Sequence, residues 1–97
     1  MTKSKETISE FNLSDYLDSD KAISEYLTQV LNDGDMKEFL KALSYIAKAK
    51  GMTEVSKESG LSRPSLYKML STDAKPRFET VLKVLDTLDI KLEAKVG

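Results

Sequence analysis

The chain has 97 residues, of which 40% are hydrophobic and 32% charged, and its net charge is −1. This length fits one domain, two at most, around one modest core. Cysteine and histidine are both absent, which excludes disulfides, thiolate or imidazole metal sites, and every catalytic mechanism that needs either side chain. No apolar run approaches the ~18 residues of a membrane helix, and the polar start is unlike a signal peptide. We therefore expect a cytoplasmic protein without a cofactor, a metal or an enzymatic activity.

Charge is distributed unevenly along the chain. Residues 1–38 hold nine acidic side chains against four lysines, whereas residues 41–77 hold eight basic side chains against three acidic ones. A pI near 5.5 argues against a protein that coats nucleic acid without selectivity. A local basic face on an acidic chain is still compatible with DNA binding. The alternative is that both regions are ordinary solvated surface.

Two long helices are predicted in the first half of the chain. Apolar residues recur at helical spacing over about residues 20–32 and again over 36–50. Ser19 belongs to a typical helix-start sequence, and Asp35 can cap the second helix by accepting backbone N–H bonds. Gly51 is a natural residue to end that helix.

Two shorter helices are predicted next. We expect Thr53 to cap one that ends at Gly60, and Ser62 to cap another of about eight residues that reaches Leu70. Pro64 falls in the first turn of the latter helix, where its missing N–H costs nothing.

The C-terminal part predicts a fifth helix and then a strand. The apolar face of the helix consists of Phe78, Val81, Leu82, Val84, Leu85 and Leu88. Residues 90–96 then alternate strictly between apolar and charged side chains, which is typical of a β-strand. Its apolar side is Ile90, Leu92, Ala94 and Val96. A lone strand is unstable in water, so we expect it to pair with a second copy as the dimer strand, with the N-terminal tail or with another protein. Packing on its own chain, or fraying, is the alternative.

The predicted fold class is therefore mainly α. It is a five-helix domain with a C-terminal β-strand, and it spans residues 13–97. Residues 1–12 carry few apolar groups and are expected to form a flexible tail.

The segment from Met52 to Leu70 meets the requirements of a helix-turn-helix. Ser56 is a small residue where the two helices would touch, Gly60 permits positive φ in the turn, and the apolar Leu61 follows. The expected inner anchors are Val55, Leu66 and Met69. The alternative is a compact helical domain whose short helices merely bend around a core.

The outward face of the second short helix is the candidate DNA-binding site. Arg63 lies in the first turn, where recognition helices usually touch base edges. Ser62 and Ser65 can donate to phosphates or bases, Lys68 suits a phosphate, and Tyr67 suits a phosphate or a thymine methyl. The complete candidate set is Ser62, Arg63, Pro64, Ser65, Tyr67, Lys68, Lys75 and Arg77, of which the last two would grip the flanking backbone.

Several stretches together resemble one known family. They are LSYIAKAKGMT at 43–53, GLSRPSLYKML at 60–70, KPRF at 75–78, TVLKVL at 80–85, and upstream YLD at 16–18 and YL at 26–27. With them the chain resembles, over about residues 11–95, the HigA-like addiction module antidote proteins, which are antitoxins with a lambda-repressor-like helix-turn-helix. Two positions depart from the family pattern. Ser56 stands where alanine is usual, and Asp89 where glycine often ends the last helix, although aspartate adopts the left-handed conformation less easily.

The resemblance implies a function in two parts. Such antitoxins neutralise a small basic RNA-cleaving toxin of the RelE/HigB type, and as a homodimer they repress their own operon by binding double-stranded operator DNA. The acidic segment 6–38 would complement a basic toxin. Its candidate apolar anchors are Phe11, Leu13, Tyr16 and Leu17, which could instead pack on the protein's own helices. The competing interpretations are a stand-alone dimeric helix-turn-helix regulator without a toxin, and a protein-interaction module that has lost DNA binding.

Overall fold

The computed structural model describes residues 19–71 and 73–97, and within them the chain forms five α-helices. They are α1 (Asp20–Asp33), α2 (Met36–Lys50), α3 (Met52–Ser59), α4 (Arg63–Met69) and α5 (Phe78–Thr87). The predicted mainly helical class and the five helices are confirmed for this part of the chain. The expected tail, residues 1–12, lies outside the described residues.

Side-chain caps start the first two helices where the sequence predicts them. The Ser19 hydroxyl accepts from the Ala22 N–H at 3.1 Å, and the Asp35 carboxylate accepts from the Glu38 N–H at 3.1 Å. Each bond satisfies a backbone donor that has no partner within the helix. These caps fix where α1 and α2 begin, and the two helices then pack against each other.

The core draws side chains from all five helices. Its buried members are Leu27, Val30, Phe39, Leu40, Ala42, Leu43, Ala47, Met52, Val55, Leu66, Met69, Leu70, Val81, Val84 and Leu85. Helix α3 packs against α2, α4 and α5. Helix α3 therefore links α4 to α2 and α5.

Lys50 joins the ends of three helices. Its ammonium donates to the Thr87 carbonyl at the end of α5 at 2.6 Å, and to the Glu58 carboxylate of α3 at 3.2 Å. The first bond satisfies a carbonyl that the end of a helix leaves without a partner. Hydrogen bonding from Glu54, and then from Lys50, holds the pKa of the exposed Glu58 carboxyl below its usual value. This contact ties α2, α3 and α5 together beside the turn between α3 and α4.

The apolar face predicted for α5 is only partly buried. Val81, Val84 and Leu85 lie in the core, whereas Phe78 is 66% exposed and Leu82 41% exposed. The two exposed side chains are four residues apart and therefore lie on one side of the helix. The apolar stripe is wider than the surface that the neighbouring helices cover, so its edge is left in solvent.

The predicted C-terminal strand over 90–96 is wrong. The described part of the chain contains no β-strand. Strand formation requires backbone hydrogen bonds to a second strand, and the helical part of the protein offers no sheet edge to pair with. Alternation of apolar and charged residues shows which side chains would share a face, but it does not supply that partner.

The chain leaves α5 through a left-handed residue. Asp89 adopts φ 62°, and the Ile90 N–H donates to the Leu85 carbonyl at 2.8 Å. This is the hydrogen-bond pattern with which glycine commonly ends a helix. It directs the chain alongside α1, where segment 88–95 and α1 border a groove of about 640 Å³. Ile90 is half-buried against the core, while the other members of the predicted apolar side, Leu92, Ala94 and Val96, are exposed.

Candidate nucleic-acid interface

The chain reverses direction between α3 and α4 at Gly60. Gly60 adopts φ 79°, and its N–H donates to the Ser56 carbonyl at 3.0 Å, which ends α3. A Cβ added at this position would meet no atom within 4 Å. Glycine is therefore favoured by the backbone conformation of the turn and not by a lack of space.

Two serine hydroxyls of α3 bind both backbone groups of the residue after the turn. The Ser56 hydroxyl donates to the Leu61 carbonyl at 2.5 Å, and the Ser59 hydroxyl accepts from the Leu61 N–H at 3.3 Å. Buried or half-buried backbone groups need such partners. Sequence reasoning treated Ser56 only as a small residue at the helix crossing and missed this bond. A hydroxyl at a position where alanine is usual was the signal that could have revealed it.

The predicted inner anchors of the helix pair are confirmed, but the predicted cap of α3 is wrong. Val55 and Leu66 are completely buried and Met69 is 8% exposed. Helix α3 begins at Met52, directly after Gly51, and Thr53 makes no capping bond. Only Gly51 lies between α2 and α3. Helix α3 has therefore already begun at Met52, and Thr53 lies inside its first turn, after the capping position.

Ser62 caps α4, as the sequence predicts. Its hydroxyl accepts from the Ser65 N–H at 3.2 Å and donates to the Ser65 hydroxyl oxygen at 2.9 Å. Pro64 lies in the first turn of the helix. The hydroxyl hydrogen of Ser62 is therefore used within the protein, whereas that of Ser65 remains available to an acceptor outside it.

Arg63 and Tyr67 form a pair on the exposed side of α4. The guanidinium carbon of Arg63 lies over the Tyr67 ring, 6.0 Å from its centroid. The two residues are one helical turn apart, and both are exposed to solvent. A cation over an aromatic ring at an exposed site is stabilised by about 0.5–1 kcal/mol.

The remaining candidate cations lie near the end of α4 and beyond it. Lys68 is exposed in the last turn of α4, and Lys75 and Arg77 are exposed in the connection that leads to α5. Lys75 also borders a hollow beside Met36 and Leu40 of α2. The structure thus brings Ser62, Arg63, Ser65, Tyr67 and Lys68 together on one short helix, but it places Lys75 and Arg77 outside that helix.

These cations form no ion pair with the described part of the protein. Among residues 19–71 and 73–97 the only ion pair joins Lys50 and Glu58. Arg63, Lys68 and Arg77 therefore have no carboxylate partner in this part of the chain. Unpaired guanidinium and ammonium groups beside a free hydroxyl donor suit phosphate oxygens and the acceptor atoms of base edges. The described residues include no cluster that could hold a metal ion and no helix suited to crossing a membrane.

The candidate toxin-binding residues Phe11, Leu13, Tyr16 and Leu17 lie outside the described residues. Helix α1, which follows them directly, exposes the acidic residues Asp20, Glu25 and Asp33 and the basic Lys21. Its exposed surface is therefore acidic on balance, in contrast to that of α4.

A family model described as "Probable addiction module antidote protein" matches residues 7–96. The chain belongs to this antidote family. A protein of Haemophilus influenzae (strain ATCC 51907 / DSM 11121 / KW20 / Rd), described as "Uncharacterized protein", is 33% identical over 90 residues, which is 93% of each chain. No solved structure matches the chain significantly.

Membership of the antidote family indicates the general kind of partner and the type of activity of this chain. An antidote acts on a toxin, so the family gives this chain a toxin as its general kind of partner. The description is that of a regulatory protein and not of a catalyst. The family match includes the region of α3 and α4 and also begins well before α1, so it spans both the basic and the acidic parts of the antidote.

Proposed function

We propose that this antidote neutralises a co-encoded toxin of the RelE/HigB type in the cytoplasm. As a homodimer it also represses its own operon, binding operator DNA through a HigA-like, lambda-repressor-like helix-turn-helix formed by α3 and α4. The observation that supports DNA binding is the exposed surface of α4. It combines Arg63 and Lys68, neither of which has a carboxylate partner among the described residues, with the hydroxyl of Ser65.

The packing of α4 supports this role. Leu66 is completely buried beneath the helix, while Arg63, Tyr67 and Lys68 are exposed. The turn before the helix is held by the hydroxyl of Ser56. A recognition helix needs this arrangement, because one side must be anchored while the other enters the major groove of the duplex.

The direct test is selection of tightly bound duplexes from a random pool, followed by affinity measurements across a salt series. We expect an inverted repeat whose half-sites lie about one helical turn apart. We also expect the affinity to fall steeply with salt, because bound phosphates release their counterions. Binding that is weak and unselective at every salt concentration would contradict operator recognition.

An inverted repeat of two half-sites requires two copies of the DNA-binding helix, which is why we propose a homodimer. We propose that the C-terminal segment forms the contact between the two copies. Leu92 is 38% exposed and Val96 is fully exposed, so the segment ends in apolar side chains without cover in the described structure. A second copy of the chain would cover them. Deletion of residues 91–97 should then give a monomer in sedimentation, and it should weaken operator binding because two half-sites no longer bind as a unit. A truncated protein that still sediments as a dimer would place the contact elsewhere.

The toxin contact is proposed for the acidic N-terminal part of the chain. Exposed acidic residues of α1, such as Asp20 and Glu25, would complement a basic RNA-cleaving toxin. The test is growth rescue when the antidote is expressed with the product of the neighbouring gene. Deletion of residues 1–18 should abolish the rescue, whereas Arg63→Ala should preserve it. Rescue by the deleted form would remove residues 11–17 from the toxin contact.

A further inference from the structure

We propose that α4 reads a guanine in each half-site, with Arg63 as the side chain that contacts the base and Tyr67 as the residue that positions Arg63. This proposal rests on the proposed operator binding. It specifies which base is recognised and how the exposed side chain of Arg63 is positioned to contact that base.

The choice of base follows from the donors that the helix presents. Arginine carries only N–H donors in a planar fork, and it is always charged. Guanine is the base that presents two acceptors, N7 and O6, side by side in the major groove. Adenine and cytosine each place a donor there, which an arginine cannot satisfy. Thymine offers one acceptor beside a methyl group.

The serine pair adds a donor at the start of the same helix. The Ser62 hydroxyl already accepts the Ser65 N–H and donates to the Ser65 oxygen. The hydrogen of Ser65 is therefore the one that can point toward the duplex. Arg63 and Ser65 then present donors near the start of α4, and a guanine edge or a neighbouring phosphate supplies the matching acceptors.

Tyr67 provides the positioning. Arg63 is exposed, and a long unpaired side chain loses rotamer freedom when it binds one base. The guanidinium lies over the Tyr67 ring at 6.0 Å, one turn along the helix. The ring accepts no conventional hydrogen bond on its face, so the guanidinium keeps N–H groups that can donate to a base. Part of the ordering that base recognition requires is therefore already present in the free protein.

The experiment uses the full chain and the duplex that the wild-type protein selects from a random pool. Each half-site guanine is replaced in turn by 7-deazaguanine, which lacks the N7 acceptor. Affinities are measured for the wild type, Arg63→Ala, Tyr67→Phe and Tyr67→Leu, with Tyr45→Leu on α2 as a matched control because Tyr45 is similarly exposed. Far-UV circular dichroism checks that each variant is folded.

We expect one guanine in each half-site at which the replacement weakens wild-type binding about tenfold, the size of a base-directed arginine contact. The same replacement should have no further effect on Arg63→Ala. Tyr67→Phe keeps the ring and should bind more tightly than Tyr67→Leu. Tyr67→Leu should weaken binding about two- to fivefold, the size of one exposed cation–π contact, and Tyr45→Leu should not.

The other outcomes would contradict guanine reading, operator binding or the positioning role of Tyr67. A selected duplex that the wild type binds equally well with every guanine replaced would contradict guanine reading and leave operator binding standing. If the wild type selects no duplex, operator binding and guanine reading both fail. Equal binding by Tyr67→Leu and Tyr67→Phe would remove the positioning role, whether both match the wild type or both are weak. In the second case the phenol hydroxyl itself would contact the DNA.

Discussion

Between Met52 and Leu70 the backbone is held by side chains of the same segment, whereas beyond Asp89 few contacts hold the chain. In the first region serine hydroxyls bind the turn and cap α4, and Leu66 is completely buried beneath that helix. In the second region Ile90 is half-buried and the residues after it are exposed. The first region is anchored in the core of the domain, whereas most of the second is exposed to solvent.

This difference agrees with the two contacts that we propose for the antidote. A helix that must present Arg63 to a base edge needs a rigid base, because loose positioning of a recognition side chain loses specificity. A segment that contacts a second protein can remain without cover until that protein binds. Local hydrogen bonds therefore accompany the proposed DNA-binding face, while exposed apolar side chains such as Leu92 accompany the proposed dimer contact.

The largest contrast between the two regions should appear in core truncations. Leu66→Ala removes a completely buried side chain and should lower the free energy of unfolding by about 2–5 kcal/mol. The matched change Leu92→Ala, at a side chain that is 38% exposed, should lower it by less than about 1 kcal/mol under conditions in which the protein is monomeric. Urea denaturation followed by circular dichroism measures both. Equal losses would mean that the C-terminal segment is packed as firmly as α4.

A smaller effect is expected at the cap of α4. Ser62→Ala removes the acceptor for the Ser65 N–H and should lower the free energy of unfolding by about 1 kcal/mol. Ser24→Ala, at an exposed position within α1, is the control. It should stabilise the protein slightly, by about 0.5 kcal/mol or less, because alanine favours helices. Thermal unfolding of the two variants compares them directly, and an unchanged Ser62→Ala would mean that the cap does not hold the start of α4.

Effects no larger than that of Ser62→Ala should come from the two left-handed residues, and their signs should be opposite. Asp89 adopts φ 62°, so Asp89→Gly should relieve strain and stabilise the protein by about 0.5–1 kcal/mol. Gly60 adopts φ 79° with open space around it, so Gly60→Ala should destabilise by about 1 kcal/mol through backbone strain alone. Denaturant midpoints report both changes. Destabilisation by Asp89→Gly would show that the Asp89 side chain stabilises the chain more than its backbone conformation costs.

The fold could be predicted from the sequence wherever the determining residues lie close together in the chain. Capping by Ser19, Asp35 and Ser62 depends on residues within three positions of each cap. The strand over 90–96 could not be judged in this way, because a strand depends on a partner that the local sequence does not specify. The exposure of Phe78 was equally non-local, since it depends on how far the neighbouring helices extend.

For the candidate site, too, some features could be predicted from the sequence and others could not. Residue type and spacing predicted that Arg63, Ser65 and Lys68 are exposed on one short helix, and they are exposed there. The spacing did not reveal that the Ser62 hydroxyl is already engaged or that Arg63 lies over Tyr67. Both are side-chain conformations, which a sequence pattern restricts but does not determine.

The central claim is that the exposed face of α4 recognises operator DNA, and one comparison of affinities tests it most directly. Wild type, Arg63→Ala and Lys83→Ala are titrated against the selected duplex and against a scrambled duplex of equal length. Arg63→Ala should lose about 1–3 kcal/mol of binding free energy on the selected duplex and little on the scrambled one. Lys83→Ala, at an exposed cation of α5 outside the proposed DNA, dimer and toxin contacts, should bind both duplexes like the wild type. Unchanged affinity of Arg63→Ala for the selected duplex would contradict recognition by α4.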